Sequence, residues 1–133
     1  MERICRDVSA VSDLTIMKEV EQNYNIIIPD YIKTFFAMNN GGIPIKKELC
    51  ITDEEYEIRC FLSFNKEDYN SIYQPLENFM KQTKGKIFPI AKDSGDNYYC
   101  INLKTEEIFI YVCETNLYYK LFNNFAEMIN LIK

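Results

Sequence analysis

The chain has no histidine and no tryptophan, and only four glycines and four prolines in 133 residues. Without histidine there can be no Ser-His-Asp or Cys-His arrangement, and the commonest general base is missing. Long apolar runs are missing too. The strongest, 25–29 and 108–113, fall far short of the roughly 20 residues that a membrane-spanning helix needs. The opening residues 1–7 carry charges with no apolar stretch behind them, so no secretory signal is expected. Basic residues are outnumbered, 15 Lys and Arg against 20 Asp and Glu, giving a net charge of −5. Nucleic-acid binders concentrate the opposite sign, so no direct nucleic-acid partner is expected. A basic protein partner suits the balance, although mild acidity also serves solubility. No repeat, low-complexity run or linker interrupts the sequence.

What is present is aromatic: ten Tyr and nine Phe, within 47% hydrophobic and 26% charged residues. These are ordinary globular proportions, and the length fits one domain over 1–133. The five cysteines (5, 50, 60, 100, 113) are odd in number and form no C-x-x-C pair. Cys60, Cys100 and Cys113 lie in strand-like runs, where Cys behaves as a small buried hydrophobe. Free thiols, no metal, no cofactor and a cytoplasmic location are the expectation.

Val11, Leu14, Met17, Val20 and Tyr24 recur at helical spacing, which predicts a helix over 13–23 with Ser12 as N-cap. Pro29, taken as the first helical position, and Asp30 in the first turn announce a second helix over 29–39. Asn39-Asn40-Gly41-Gly42 then stops it, because Asn and Gly accept left-handed backbone. A short strand is expected within 43–51 and an acidic loop over 52–56. A half-buried strand follows, with Ile58, Cys60, Leu62 and Phe64 on the inner face. Residues 65–73 read as turns. Pro75 begins a third helix, with Leu76, Phe79 and Met80 inward and Gly85 as stop. Strands are expected over 86–91, 98–103 and 107–113, with Phe88-Pro89 marking an edge or a strand end in the first. The 107–113 run is apolar on both faces, as for a central strand under helices. Asn124 and Glu127 form a capping-box pattern for a closing helix. The fold class is α+β, a mainly antiparallel sheet with helices packed against it.

Three stretches carry a resemblance. Residues 28–42, with Pro29, Asp30, Tyr31, Phe35, Asn40, Gly41 and Gly42, resemble the first signature of the SUKH superfamily, the Smi/Knr-type domains. Residues 88–103, with Phe88, Pro89, Gly95 and Asp96, are similar to its second, and 123–128, around Phe125, to its closing helix. Ser94, Asn102 and Asn124 stand where Gly, Asp and Ser are usual. The resemblance implies a non-catalytic protein-binding module. In bacteria that means most often an immunity protein that neutralises a cognate toxin of a polymorphic or contact-dependent system. The Lys-, Asn- and Ile-rich composition looks bacterial, and a single short domain resembles that branch more than the longer yeast regulators. A regulatory scaffold without a toxin is the alternative. The implied partner is a toxin with a basic surface, no membrane is involved, and the protein is a monomer or weak homodimer.

The candidate partner-binding residues are Asp53, Glu54, Glu55, Glu57, Asp93, Asp96 and Tyr98. The first four form a dense negative run, which steers a basic partner and is easily retuned. Asp93-Ser94-Gly95-Asp96-Asn97 lacks the alternating ligands and distant Glu of a calcium loop, and reads as a turn between strands. Glu67-Asp68 and Glu106-Glu107 are smaller, solvated patches. Tyr98-Tyr99 and Tyr118-Tyr119 place neighbouring rings on opposite strand faces, so one of each pair points outward; most tyrosines are expected in the core.

Overall fold

The computed structural model describes residues 3–11, 13, 15–51 and 53–133. Ser12 as helix cap, Leu14 in the first apolar stripe, the opening residues 1–2 and Thr52 of the acidic loop lie outside them.

The elements follow in the order β1 (Cys5–Arg6), α1 (Thr15–Tyr24), α2 (Asp30–Asn39), β2 (Ile43–Pro44), β3 (Glu48–Ile51), β4 (Glu54–Glu57), β5 (Cys60–Phe61), α3 (Tyr73–Thr83), β6 (Ile87–Lys92), β7 (Tyr98–Asn102), β8 (Ile108–Val112), β9 (Leu117–Phe122) and α4 (Phe125–Ile132). The main sheet is antiparallel, in the order β5-β6-β7-β8-β9. Two small antiparallel ribbons, β1-β2 and β3-β4, stand beside it. The α+β class is as expected.

The helices form where the apolar spacing places them, but their starts differ from expectation: at α1 the Thr15 N–H donates to Asp13 Oδ1 at 2.9 Å, and α3 begins at Tyr73, two residues before Pro75. Pro29 is the N-cap of α2, one position before the helix, with extended backbone (φ −55°, ψ 143°). α3 ends on Lys84 and Gly85, both left-handed, whose N–H groups donate to the Met80 carbonyl. At α4 the Asn124 Oδ1 accepts from the Glu127 N–H at 3.0 Å, and the Glu127 carboxylate accepts from the Asn123 N–H.

Four expectations need correction. The 58–64 segment does not alternate between core and solvent: every residue in it except Arg59 is buried, and only Cys60–Phe61 form ladder pairs. Pro89 is not at an edge. It lies inside β6, between β5 and β7, beside a bulge at Pro89/Ala91. The bulge and the two-residue length of β5 remove the need for its missing N–H. The acidic stretch is a strand, β4, rather than a loop. A fourth strand, β9, follows β8, so β8 is next to the edge rather than central.

The core is a relay of rings. Phe35 of α2 lies against Phe36, Phe61 and Phe125, with centroids 5.6, 4.6 and 5.1 Å away. Phe36 continues to Phe64, and Phe64 to Phe88. All are essentially inaccessible to solvent, each worth about 1.5–3 kcal/mol of burial. Across the sheet, Phe79 of α3 sets its ring against Tyr98, Tyr111 and Tyr118. Of the tyrosines only Tyr99 is fully buried, and most of the others are half-exposed over the core edge. Cys5, Cys60 and Cys100 are buried thiols, but Cys50 and Cys113 are exposed, the latter just past the end of β8. No helix among the described residues is long and apolar enough to cross a membrane.

Candidate protein-binding surface

The β3-β4 hairpin carries most of the acidic candidates. Its register sets Glu48 opposite Glu57, Leu49 opposite Tyr56, Cys50 opposite Glu55 and Ile51 opposite Glu54. Strand residues alternate in direction, so Glu48, Cys50, Glu55 and Glu57 share the outer face. Leu49, on the inner face, is buried. Asp53 sits at the tip in the left-handed region (φ 65°), where Asp is tolerated. Glu54 accepts a hydrogen bond from the Tyr56 hydroxyl at 2.7 Å.

Like charges directly opposite on a ladder are unfavourable, so the Glu48–Glu57 pair needs support. Glu57 accepts from the Ser94 N–H at 2.8 Å. Hydrogen bonds from Ser94 hold its carboxyl below the usual range, with Lys47 and Arg59 adding to the effect. The same contact joins the hairpin to the 93–97 turn. There Asp93 Oδ1 accepts from the Gly95 and Asn97 N–H groups, and Asp96 is left-handed (φ 62°) with Lys92 4.0 Å away. The structure therefore brings Glu57, Asp93 and Asp96 to one end of the hairpin and Asp53, Glu54 and Glu55 toward its tip. Tyr98 is not with them. Its neighbour Tyr99 donates to the Glu57 carbonyl at 2.6 Å, while Tyr98 turns to the opposite face of β7, under Phe79. Glu48 and Cys50 belong to the surface and were not among the sequence candidates. Their alternation with Glu55 and Glu57 shows only once 54–57 is recognised as a strand.

A second constellation is interior. Asn40 donates to the Ser9 carbonyl at 2.7 Å and to Ser63 Oγ at 3.0 Å, and accepts from the Phe64 N–H at 2.9 Å. Asn39 Oδ1 accepts from the Ile4 and Cys5 N–H groups. Asn70 donates to the Gly41 and Phe61 carbonyls, and Asn65 to Ser9 and Ala10. Ser63 Oγ also accepts from the Asn65 N–H and donates to the Asp68 carboxylate at 2.5 Å. Gly41 takes a positive φ of 64° so that its N–H reaches the Leu62 carbonyl. Thus the Asn-Asn-Gly-Gly run is more than a helix stop. It ties the N-terminal segment, α2, β5 and the 63–72 turns into one satisfied polar hub, as burial demands.

The model of the family described as SMI1 / KNR4 family (SUKH-1) matches residues 11–131. The chain belongs to the SMI1/KNR4 family (SUKH-1). No curated protein matches it significantly.

The motif residues of this SUKH-1 chain divide by position. Phe35, Phe88 and Phe125 fill the core; Asn40, Gly41 and Gly42 build the hub. Pro89 marks the bulge, and Gly95 is an exposed turn residue. Asp30 opens α2, and beside it Tyr31 donates to Glu106 across the fold. Asp68 is not a solvated patch: it is half-buried and bound into the hub. Hydrogen bonds from Ser63, then Ser9 and Asn65, hold its carboxyl below the usual range. A depressed folded pKa contributes stability that is present above the unfolded value of about 3.9 and lost as pH falls through the folded one. The SUKH-1 chain should therefore lose stability below about pH 4, with a shallower acid slope in Asp68→Asn. Urea unfolding at intervals down to about pH 2 measures both slopes; equal slopes would show that Asp68 is not linked.

Proposed function

We propose that the chain acts as one protein-binding domain that neutralises a toxin with a basic surface, docking it on the outer face and tip of the β3-β4 hairpin. The observation that carries this is the concentration of Glu48, Asp53, Glu54, Glu55 and Glu57 on a ribbon outside the main sheet. Among the described residues no ion pair reaches any of the five. Clustered carboxylates steer a basic partner and raise its association rate. Membership of a family whose domains are generally of the immunity type supports the same reading. A carboxylate hydrolase would need acids paired in a pocket with one titration raised. Among the described residues every carboxyl that is shifted is shifted downward, at Asp13, Glu57, Asp68 and Glu107.

The test is association with the product of a toxin gene beside this one. Co-expression should restore growth, and a pull-down should recover the pair. Reversing Asp53, Glu54 and Glu55 to lysine should slow association about tenfold or more at low salt, with the fold unchanged by circular dichroism. Absence of a complex with the native chain would sink the immunity reading. Binding that ignores both salt and charge reversal would move the interface off the hairpin.

A further inference from the structure

Away from the outer face of the hairpin, a cavity of about 460 Å³ opens between α2, α4 and the β7–β8 turn. It is in the range of small-ligand sites, roughly 300–1,000 Å³. Its apolar floor is Tyr31, Phe125, Ala126 and Ile129, and the Tyr31 and Phe125 rings stack with centroids 6.0 Å apart. Glu106 stands on the rim and accepts the Tyr31 hydroxyl. A carboxylate has about four lone-pair sites, so this bond leaves acceptor capacity over. Among the described residues no ion pair reaches Glu106, whereas its neighbour Glu107 is taken by Lys120 at 2.7 Å.

We propose that this cavity is a socket for an arginine side chain of the protein partner. The aliphatic stem lies over Phe125 and Ile129, and the planar guanidinium stacks on the Tyr31 ring while its fork meets the Glu106 carboxylate. Arginine fits better than lysine because only a planar cation can both stack and present parallel donors. Lys133 also lines the rim. The inference rests on the protein-binding reading and gives it a second anchor. α4 separates the two surfaces: Leu131 lines the hairpin groove with Ile45 and Cys50, and Ala126 and Asn130 line the cavity.

The test needs no toxin. N-acetyl-arginine amide titrated into the ¹⁵N-labelled chain should move the amide signals of Tyr31, Phe125, Ala126 and Ile129 saturably, with a Kd on the order of millimolar. The lysine and norleucine analogues should bind several-fold more weakly. Glu106→Gln, which keeps an acceptor for Tyr31, should abolish saturation with the spectrum otherwise intact. Lysine reversal at Asp53, Glu54 and Glu55 should leave arginine binding unchanged, so failure of the socket and failure of the hairpin interface are separable. Shifts that spread over the acidic surface, equal responses to the three analogues, or full binding by Glu106→Gln would each overturn the proposal.

Discussion

Asn40→Ala should destabilise the fold by about 3–5 kcal/mol, more than any single surface change. The side chain is fully buried and serves three partners at once, the Ser9 carbonyl, Ser63 Oγ and the Phe64 N–H. Alanine strands the buried Phe64 N–H, takes one of three bonds from Ser63 Oγ and one from the half-buried Ser9 carbonyl, and a stranded buried group costs about 1–3 kcal/mol. Native stability is only about 5–15 kcal/mol, so the variant should sit near its threshold at 37 °C. Asn40→Asp does not repair it, because a carboxylate keeps the acceptor toward Phe64 but loses both donors and brings a charge inside. Urea unfolding at neutral pH reads the loss as a lower midpoint with little change in slope. A loss below about 1 kcal/mol would mean the hub relaxes or admits water.

Gly42→Ala should cost about 1–3 kcal/mol, for a different reason. The backbone of Gly42 is not left-handed; the obstacle is space. A Cβ there would lie 2.5 Å from the Cys5 Cβ and 3.1 Å from both the Asn39 carbonyl oxygen and Val8 Cγ2. Cys5 is fixed by the β1-β2 rung with Pro44 and by the Asn39 bond to its N–H. The clash is with a β-carbon, so Cys5→Ala should give no relief, while Cys5→Gly should recover part of the loss in the double variant. Thermal unfolding of the native chain, the three single variants and the two double variants settles it, and equal rescue by alanine would place the clash on the thiol. Burial pushes that thiol up to about 12, with Arg3 opposing, so modification of Cys5 should not confuse the comparison.

The helices and caps were legible because their signals are local: Asn124 and Glu127 sit one turn apart, and Phe35 and Phe36 fall on one stripe. The strands were less so, because pairing is long-range. Residues 54–57 are Glu-rich and poor strand formers by composition; their partner Glu48–Ile51 and the left-handed Asp53 make the hairpin. Pro89 signals an edge by itself, and only the bulge with β7 shows why it is tolerated inside. β9 lies at the edge, with Leu117 52% and Tyr119 49% exposed, so its alternation is blurred. The hub was legible only in part. Asn40, Gly41 and Gly42 stood out, but Ser63, Asn65, Asp68 and Asn70 are ordinary turn residues until the chain folds them together.

The hairpin closes its ladder on itself, and β3 and β4 pair with no strand of the main sheet. Its inner face reaches the core through Leu49, with Ile51 and Tyr56 packed against it. Residues 48, 50 and 55 can therefore be exchanged among lineages without disturbing the rings beneath. Substitutions at these three exposed positions should leave the stability margin nearly untouched.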